Sequence, residues 1–101
     1  MKEYVVSVAI SDTFLNGDFR FDYAEVKEAI VNELNKFKHR RICKNLFEVT
    51  SPIEDSSVLY KTLVDSTYSV KEDKNLFNEE IDVIYIMPLS GSRYINGEHL
   101  V

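Results

Sequence analysis

Hydrophobic and polar positions divide the chain into segments of different period. Residues 3–10 alternate, with Tyr4, Val6, Val8 and Ile10 on one face and Val5, Ser7 and Ala9 on the other. A period of two carried by β-branched residues predicts a strand with one well-buried face and one face of small residues. "SDTFLNGDFR" (11–20) breaks the alternation, and Asn16-Gly17 supplies its turn signal. In residues 21–40 the period changes. Tyr23, Val26, Ile30, Leu34 and Phe37 recur at spacings of three and four, which predicts an amphipathic helix laying one stripe on a sheet. Asp22 as N-cap and Glu25 at N3 make a capping box, flanked by a hydrophobic staple of Phe21 and Val26.

"RICKNLFEVTS" (41–51) reads as extended, either one long bent strand or two short ones, with Asn45 as the plausible kink. Ser51-Pro52-Ile53-Glu54 reads as a second capping box with proline at N1. It opens a helix anchored by Leu59 and Leu63 that runs to about Tyr68. "KEDKNLFNEE" (71–80) is a polar surface connection. "IDVIYIMP" (81–88) is almost entirely apolar, as suits a strand buried on both faces or at the sheet centre, and Pro88 ends it. The tail has Gly91, an Asn96-Gly97 turn, and Tyr94 and Ile95 for a short last strand. This order predicts one α+β domain over residues 1–101, a ferredoxin-like βαββαβ sandwich with two helices on one face of a mainly antiparallel sheet. The other face would carry Val5, Ala9 and alternate residues of 81–87. Apolar surface of that kind is costly in water, so a homodimer through this face or its edges is expected.

Composition narrows the function classes. At 101 residues there is no room for a second core, and burial of only about 60–65% of the unfolded surface makes association a useful supplement to stability. The single cysteine, Cys43, excludes an internal disulfide framework and fits a reducing compartment. No stretch approaches the roughly 18 apolar residues of a membrane span, and no signal-peptide pattern opens the chain. A cytoplasmic protein without membrane contact is expected. The net charge of −5 is unevenly distributed: residues 1–44 hold eight Lys/Arg against seven Asp/Glu, residues 45–101 four against ten. Five of the twelve bases, Lys36, Lys38, Arg40, Arg41 and Lys44, fall within nine residues. They are candidate phosphate contacts on a nucleic acid, or else the solvated end of a helix complementing its dipole. Phe37, on the core stripe, is not free to stack on a base.

Asp12 and Asp18, just beyond the first strand, are the candidate catalytic carboxylates. A hydrolytic site would need them to converge on Mg²⁺, whereas turn and cap chemistry needs no metal. Otherwise no cofactor is expected. His39 and His99 form no zinc-type pair, and Cys43 reads as a small buried hydrophobe rather than a nucleophile. With three glycines, no phosphate-cradling loop or nucleotide fingerprint is present. Glu72, Asp73, Glu79, Glu80 and Asp82 are candidates for meeting a basic partner surface, or else an ordinary solvated connection.

Three short motifs carry a family resemblance: Val8-Ala9-Ile10-Ser11-Asp12, then Arg40-Arg41 with Asn45-Leu46-Phe47-Glu48, and "DVIYIMPLS" (82–90). In this order the chain resembles the small CRISPR-associated ferredoxin-like proteins that form the non-integrase subunit of the spacer-acquisition complex, and the related VapD-type proteins. The resemblance implies a dimer and, at the end of the first strand, an acid proposed to bind a divalent metal at the dimer interface. That acid falls here on Ala9, whose methyl group cannot coordinate a cation. Asp12 lies three residues on, roughly 10 Å away and on the opposite face if the strand continued. The expected function is therefore a dimeric, catalytically inactive interaction or regulatory module for a protein or nucleic-acid partner. The alternatives are a metal-dependent endoribonuclease or toxin using Asp12, and a phage-type inhibitor occluding a basic surface.

Overall fold

The alternating segment forms the strand on which the sheet is built. A computed structural model describes residues 1–89 and the backbone of 93–95 and 98–100. In chain order the elements are β1 (Lys2–Ala9), α1 (Tyr23–Leu34), β2 (Lys38–Cys43), β3 (Leu46–Ser51), α2 (Ser56–Asp65), β4 (Tyr68–Ser69), β5 (Lys74–Asn75), β6 (Val83–Pro88), β7 (Arg93–Ile95) and β8 (Glu98–Leu100). The main sheet runs β2-β3-β1-β6, and every neighbouring pair is antiparallel. Each helix thus connects two parallel strands with an antiparallel strand between them, which is the ferredoxin-like βαββαβ arrangement. Tyr4, Val6 and Val8 of β1, with Phe47, Val49 and Ile84 beside them, are buried against Val26, Ile30 and Leu34 of α1 and Leu59 and Leu63 of α2. The Tyr4 hydroxyl donates to the Ile53 carbonyl at 2.6 Å, so the largest core ring on β1 also keeps its polar end satisfied.

Several local expectations are corrected. α1 stops at Leu34 with Asn35 as C-cap, so the basic run leaves the helix and becomes β2. Pairing with β3 overrides the helical reading of 35–40. The Asp22 side chain makes no capping bond, because its Oδ1 accepts from Arg20 Nε at 2.8 Å. Phe21 is 93% exposed and forms no staple. α2 is capped by Asp55, which accepts from the Ser57 amide at 2.8 Å, while Ser51 ends β3 with its Oγ turned to the Ile53 amide. The helix ends at Asp65, three residues early.

Residues 41–51 contain the end of one strand and all of a second, joined at Lys44-Asn45, with the Asn45 carbonyl accepting from the Val8 amide at 2.9 Å. Cys43 is exposed because it lies on an edge strand. β6 is likewise an edge strand with one open face, not a central one. Residues 68–75 contain a two-stranded hairpin, β4–β5, whose turn holds Asp73 at φ 54, a left-handed conformation that aspartate tolerates. Tyr94 and Ile95 lie in β7, paired with β8, whereas Gly91 and Asn96-Gly97 lie outside the described residues. Among the described residues no helix is long and apolar enough to cross a membrane.

One buried ion pair closes the domain at the carboxyl end of β1. Arg20 and Asp82 side chains are 1% and 0% exposed, with Nη1 to Oδ1 at 2.6 Å. Arg20 also donates to the carbonyls of Ser11 and Leu76, and Asp82 accepts from the amides of Ser11 and Asn78. Burial acts against the guanidinium charge, but the hydrogen bond and charge of Asp82, with Asp22 beside it, outweigh that and raise the Arg20 pKa. Asp82 therefore does not face a partner. Its expected surface role is replaced by a structural one.

Removing Asp82 strands a buried cation and two amides. Asp82→Ala is expected to lower stability by about 3–5 kcal/mol, and Asp82→Asn by less, because its amide oxygen still accepts; urea unfolding midpoints report both. Asp55 gives a pH signature. Hydrogen bonds from the Ser57 hydroxyl and amide hold its carboxyl below the ordinary value. Its stabilising contribution is therefore present above the unfolded carboxylate pKa and is lost as pH falls through the lower folded one. Urea midpoints of Asp55→Asn should show a shallower acid dependence than those of the unmodified chain.

Candidate functional site

Two surfaces gather the residues singled out by the sequence. The first is the sheet face turned away from the helices. Because β1 buries Tyr4, Val6 and Val8, the alternate residues Val5, Ser7 and Ala9 turn outward. Antiparallel register sets their neighbours: Val5 between Glu48 and Met87, Ser7 between Leu46 and Tyr85, and Ala9 opposite Val83. Val83 and Tyr85 are 56% and 59% exposed. An apolar patch thus runs from β3 across β1 to the β6 edge.

Beyond β3 the same sheet becomes basic. Lys38 and Arg40 of β2 lie opposite Thr50 and Glu48 and share the outer face. Arg41 lies opposite the buried Phe47 and so belongs to the helix side, where its guanidinium carbon sits 5.1 Å from the Phe47 ring centroid. Arg41 Nη2 also donates to the Lys44 carbonyl at 2.6 Å, bracing the hairpin turn. His39 is opposite Val49, with Nδ1 at 2.9 Å from the Phe37 carbonyl. Lys36 pairs with Glu33 at 3.2 Å on the α1 terminus. The five predicted phosphate contacts are therefore divided: Lys38 and Arg40 point one way, Arg41 the other, and Lys36 and Lys44 lie at the two ends of the strand.

The second surface surrounds the loop after β1. Asp12 and Asp18 are drawn near one another by the Thr13–Phe19 bridge, a hydrogen bond from the Phe14 amide to the Asp18 carbonyl, and another from the Arg20 amide to the Asp12 carbonyl. The Asp18 carboxylate accepts from Asn16 Nδ2 at 3.0 Å while Asn16 Oδ1 accepts from the Asp18 amide, so its chemistry here is turn closure. The Asp12 side chain is exposed. Among the described residues no three His, Cys, Asp or Glu side chains converge as a metal ligand set.

Across from this loop runs the segment 69–81. Its start is pinned by Thr67, whose Oγ1 donates to the Val64 carbonyl at 2.6 Å and accepts from the Phe77 amide at 3.1 Å. Glu72, Asp73, Glu79 and Glu80 are exposed there. Asp73 Oδ1 accepts from the Tyr68 hydroxyl at 2.5 Å, and that bond together with burial raises the Tyr68 pKa. Concave space of about 460 Å³ lies between the segment and the loop, with a neighbouring recess of about 440 Å³.

Sequence reasoning missed two features of this region. The Arg20–Asp82 pair spans 62 positions, and its signal was an acid at the head of the most apolar run. The second is the pair of exposed rings, Phe19 and Phe21, that flank the inward-pointing Arg20.

No family model matches this sequence, and no curated protein matches it. Among solved structures, the chain is similar to a hypothetical protein TT1823 from Thermus thermophilus, with a TM-score of 0.58 and 17% sequence identity. The match covers 99% of this chain and 95% of that one. This likeness supports the fold.

Contact with a nucleic-acid backbone through so divided a basic set is expected to be weak and electrostatic. Anisotropy of a labelled single-stranded RNA should show affinity falling steeply between about 50 and 200 mM salt. Lys38→Glu with Arg40→Glu should reduce the log–log slope by about 1–2, and a salt-independent affinity would contradict the phosphate role.

Proposed function

We propose that this chain is a homodimeric interaction module of ferredoxin-like fold, without hydrolytic chemistry of its own, related to the small CRISPR-associated and VapD-type proteins. The observation that carries this reading is the open apolar face formed by Val5, Leu46, Val83, Tyr85 and Met87. Full burial of a side chain such as valine or methionine is worth about 1.5–3 kcal/mol, so covering several of them by a second copy outweighs a substantial part of the association entropy. A two-fold interface uses the same patch on both partners, and its β6 part, Val83, Tyr85 and Met87, carries no charge to repel its copy.

The end of β1 supports a chain without hydrolytic chemistry. Ala9 stands at the position where the resemblance places the metal-binding acid, and its register neighbour is Val83. Asp12 is not carried into that position: the chain has left the sheet, and its carbonyl accepts from the Arg20 amide. Asp18 is occupied in its own turn.

Sedimentation equilibrium is expected to give a dimer, and Val83→Asp with Tyr85→Asp a folded monomer. A monomeric unmodified chain would overturn the proposal. Incubated with single-stranded RNA and millimolar Mg²⁺ or Mn²⁺, the protein should leave the RNA intact. Metal-dependent cleavage lost in Asp12→Asn would restore the nuclease reading.

A further inference from the structure

The loop after β1 displays aromatic rings that the fold itself does not use. Phe19 is 61% exposed and Phe21 93%, and the two rings meet edge to face with centroids 5.3 Å apart. Phe14 and Leu15 extend the same apolar surface. Arg20 between them is held inward by Asp82, Asp22 and the Leu76 carbonyl. Phe14 lines each recess along the segment 69–81 and Phe21 lines one of them, so these two rings belong to the concave walls.

The charge around this surface is unbalanced. Glu25, Glu72, Glu79 and Glu80 line the recesses with exposed carboxylates, and none is in an ion pair among the described residues. Lys71 and Lys74 contribute the opposing charge on the same walls, leaving the carboxylates in excess. Rings flanked by carboxylates suit a cation that has a flat apolar face. A guanidinium meets both demands, stacking on a phenyl ring while its edge donates to carboxylates. The chain already uses this geometry internally, with Arg41 over Phe47.

We propose that the cleft between the loop 12–22 and the segment 69–81 binds an arginine-bearing peptide segment of a protein partner. The rings of Phe14 and Phe21 take the aliphatic and guanidinium faces, and Glu72, Glu79 and Glu80 take the charge. This surface lies apart from the open sheet face, so the proposal stands whether or not the chain is a dimer.

The test is a ¹⁵N-HSQC titration of the full chain with an acetylated, amidated hexapeptide alternating Arg and Leu, and with its Glu–Leu counterpart. Shifts confined to residues 12–25 and 69–81 with the Arg peptide alone are expected. Phe14→Ser with Phe21→Ser should weaken binding at least about tenfold, as expected for removal of buried aromatic contacts at an interface centre. Glu79→Gln with Glu80→Gln should weaken it chiefly at low salt. Because these four side chains are exposed, unchanged urea midpoints will show that the variants are folded. Shifts spread over remote acids such as Glu54 and Asp65, equal response to the Glu peptide, or indifference to loss of the two rings would each overturn the proposal. Sedimentation of the same samples reports the dimer separately.

Discussion

The buried pair of Arg20 and Asp82 is the constraint on which the rest of the structure depends. A guanidinium and a carboxylate in the interior are tolerable only when nearly every polar edge is matched, and here backbone groups complete the set. Ser11, Leu76 and Asn78 each give an amide or carbonyl to it. Those three residues belong to the loop after β1 and to the segment before β6. The pair therefore joins two irregular stretches, whose apolar anchors are Ile10 on one side and Leu76 and Phe77 on the other. Its net worth as an ion pair is modest. Its effect on geometry is large, because it sets which neighbours of Arg20 and Asp82 face solvent.

The same pair separates two surfaces of different character. On the sheet side, β6 leaves the anchored residue and presents Val83, Tyr85 and Met87 on its open face, an apolar and nearly uncharged area suited to a copy of itself. On the loop side, Phe21 lines a recess with Glu25 and Glu72 and Phe14 one with Glu79 and Glu80, an area suited to a partner of opposite charge. The charge imbalance between the two halves of the chain is thus spatial as well as sequential. Bases collect along β2 at one edge of the sheet, and acids collect around the cleft.

What was legible in the sequence follows from the range of the interaction involved. The stripe Val26, Ile30 and Leu34 is local, period and packing agree, and the helix and its buried face were readable. β1 was readable for the same reason. The basic run 36–44 was not, because both faces of an edge strand can be solvated and its side chains need not alternate. The apolar run 81–88 misled in the opposite sense: periodicity cannot distinguish a strand buried on both faces from one whose second apolar face is open. At the candidate site, the acidic character of 72–80 was evident from composition. The position of Asp82 was not, since its partner lies beyond any local window.

The two edges of the sheet are chemically unlike, and this bears on solubility. Along β2 a second copy attempting to add strand to strand would bring Lys38, Arg40 and Arg41 against the same charges, so ribbon growth from that side is opposed electrostatically. At the other edge, β6 ends in Pro88, which lacks the amide an added strand would need. Sideways extension is thus discouraged at both margins by different means. What remains open is the sheet face, where pairing would close on itself and stop instead of growing sideways.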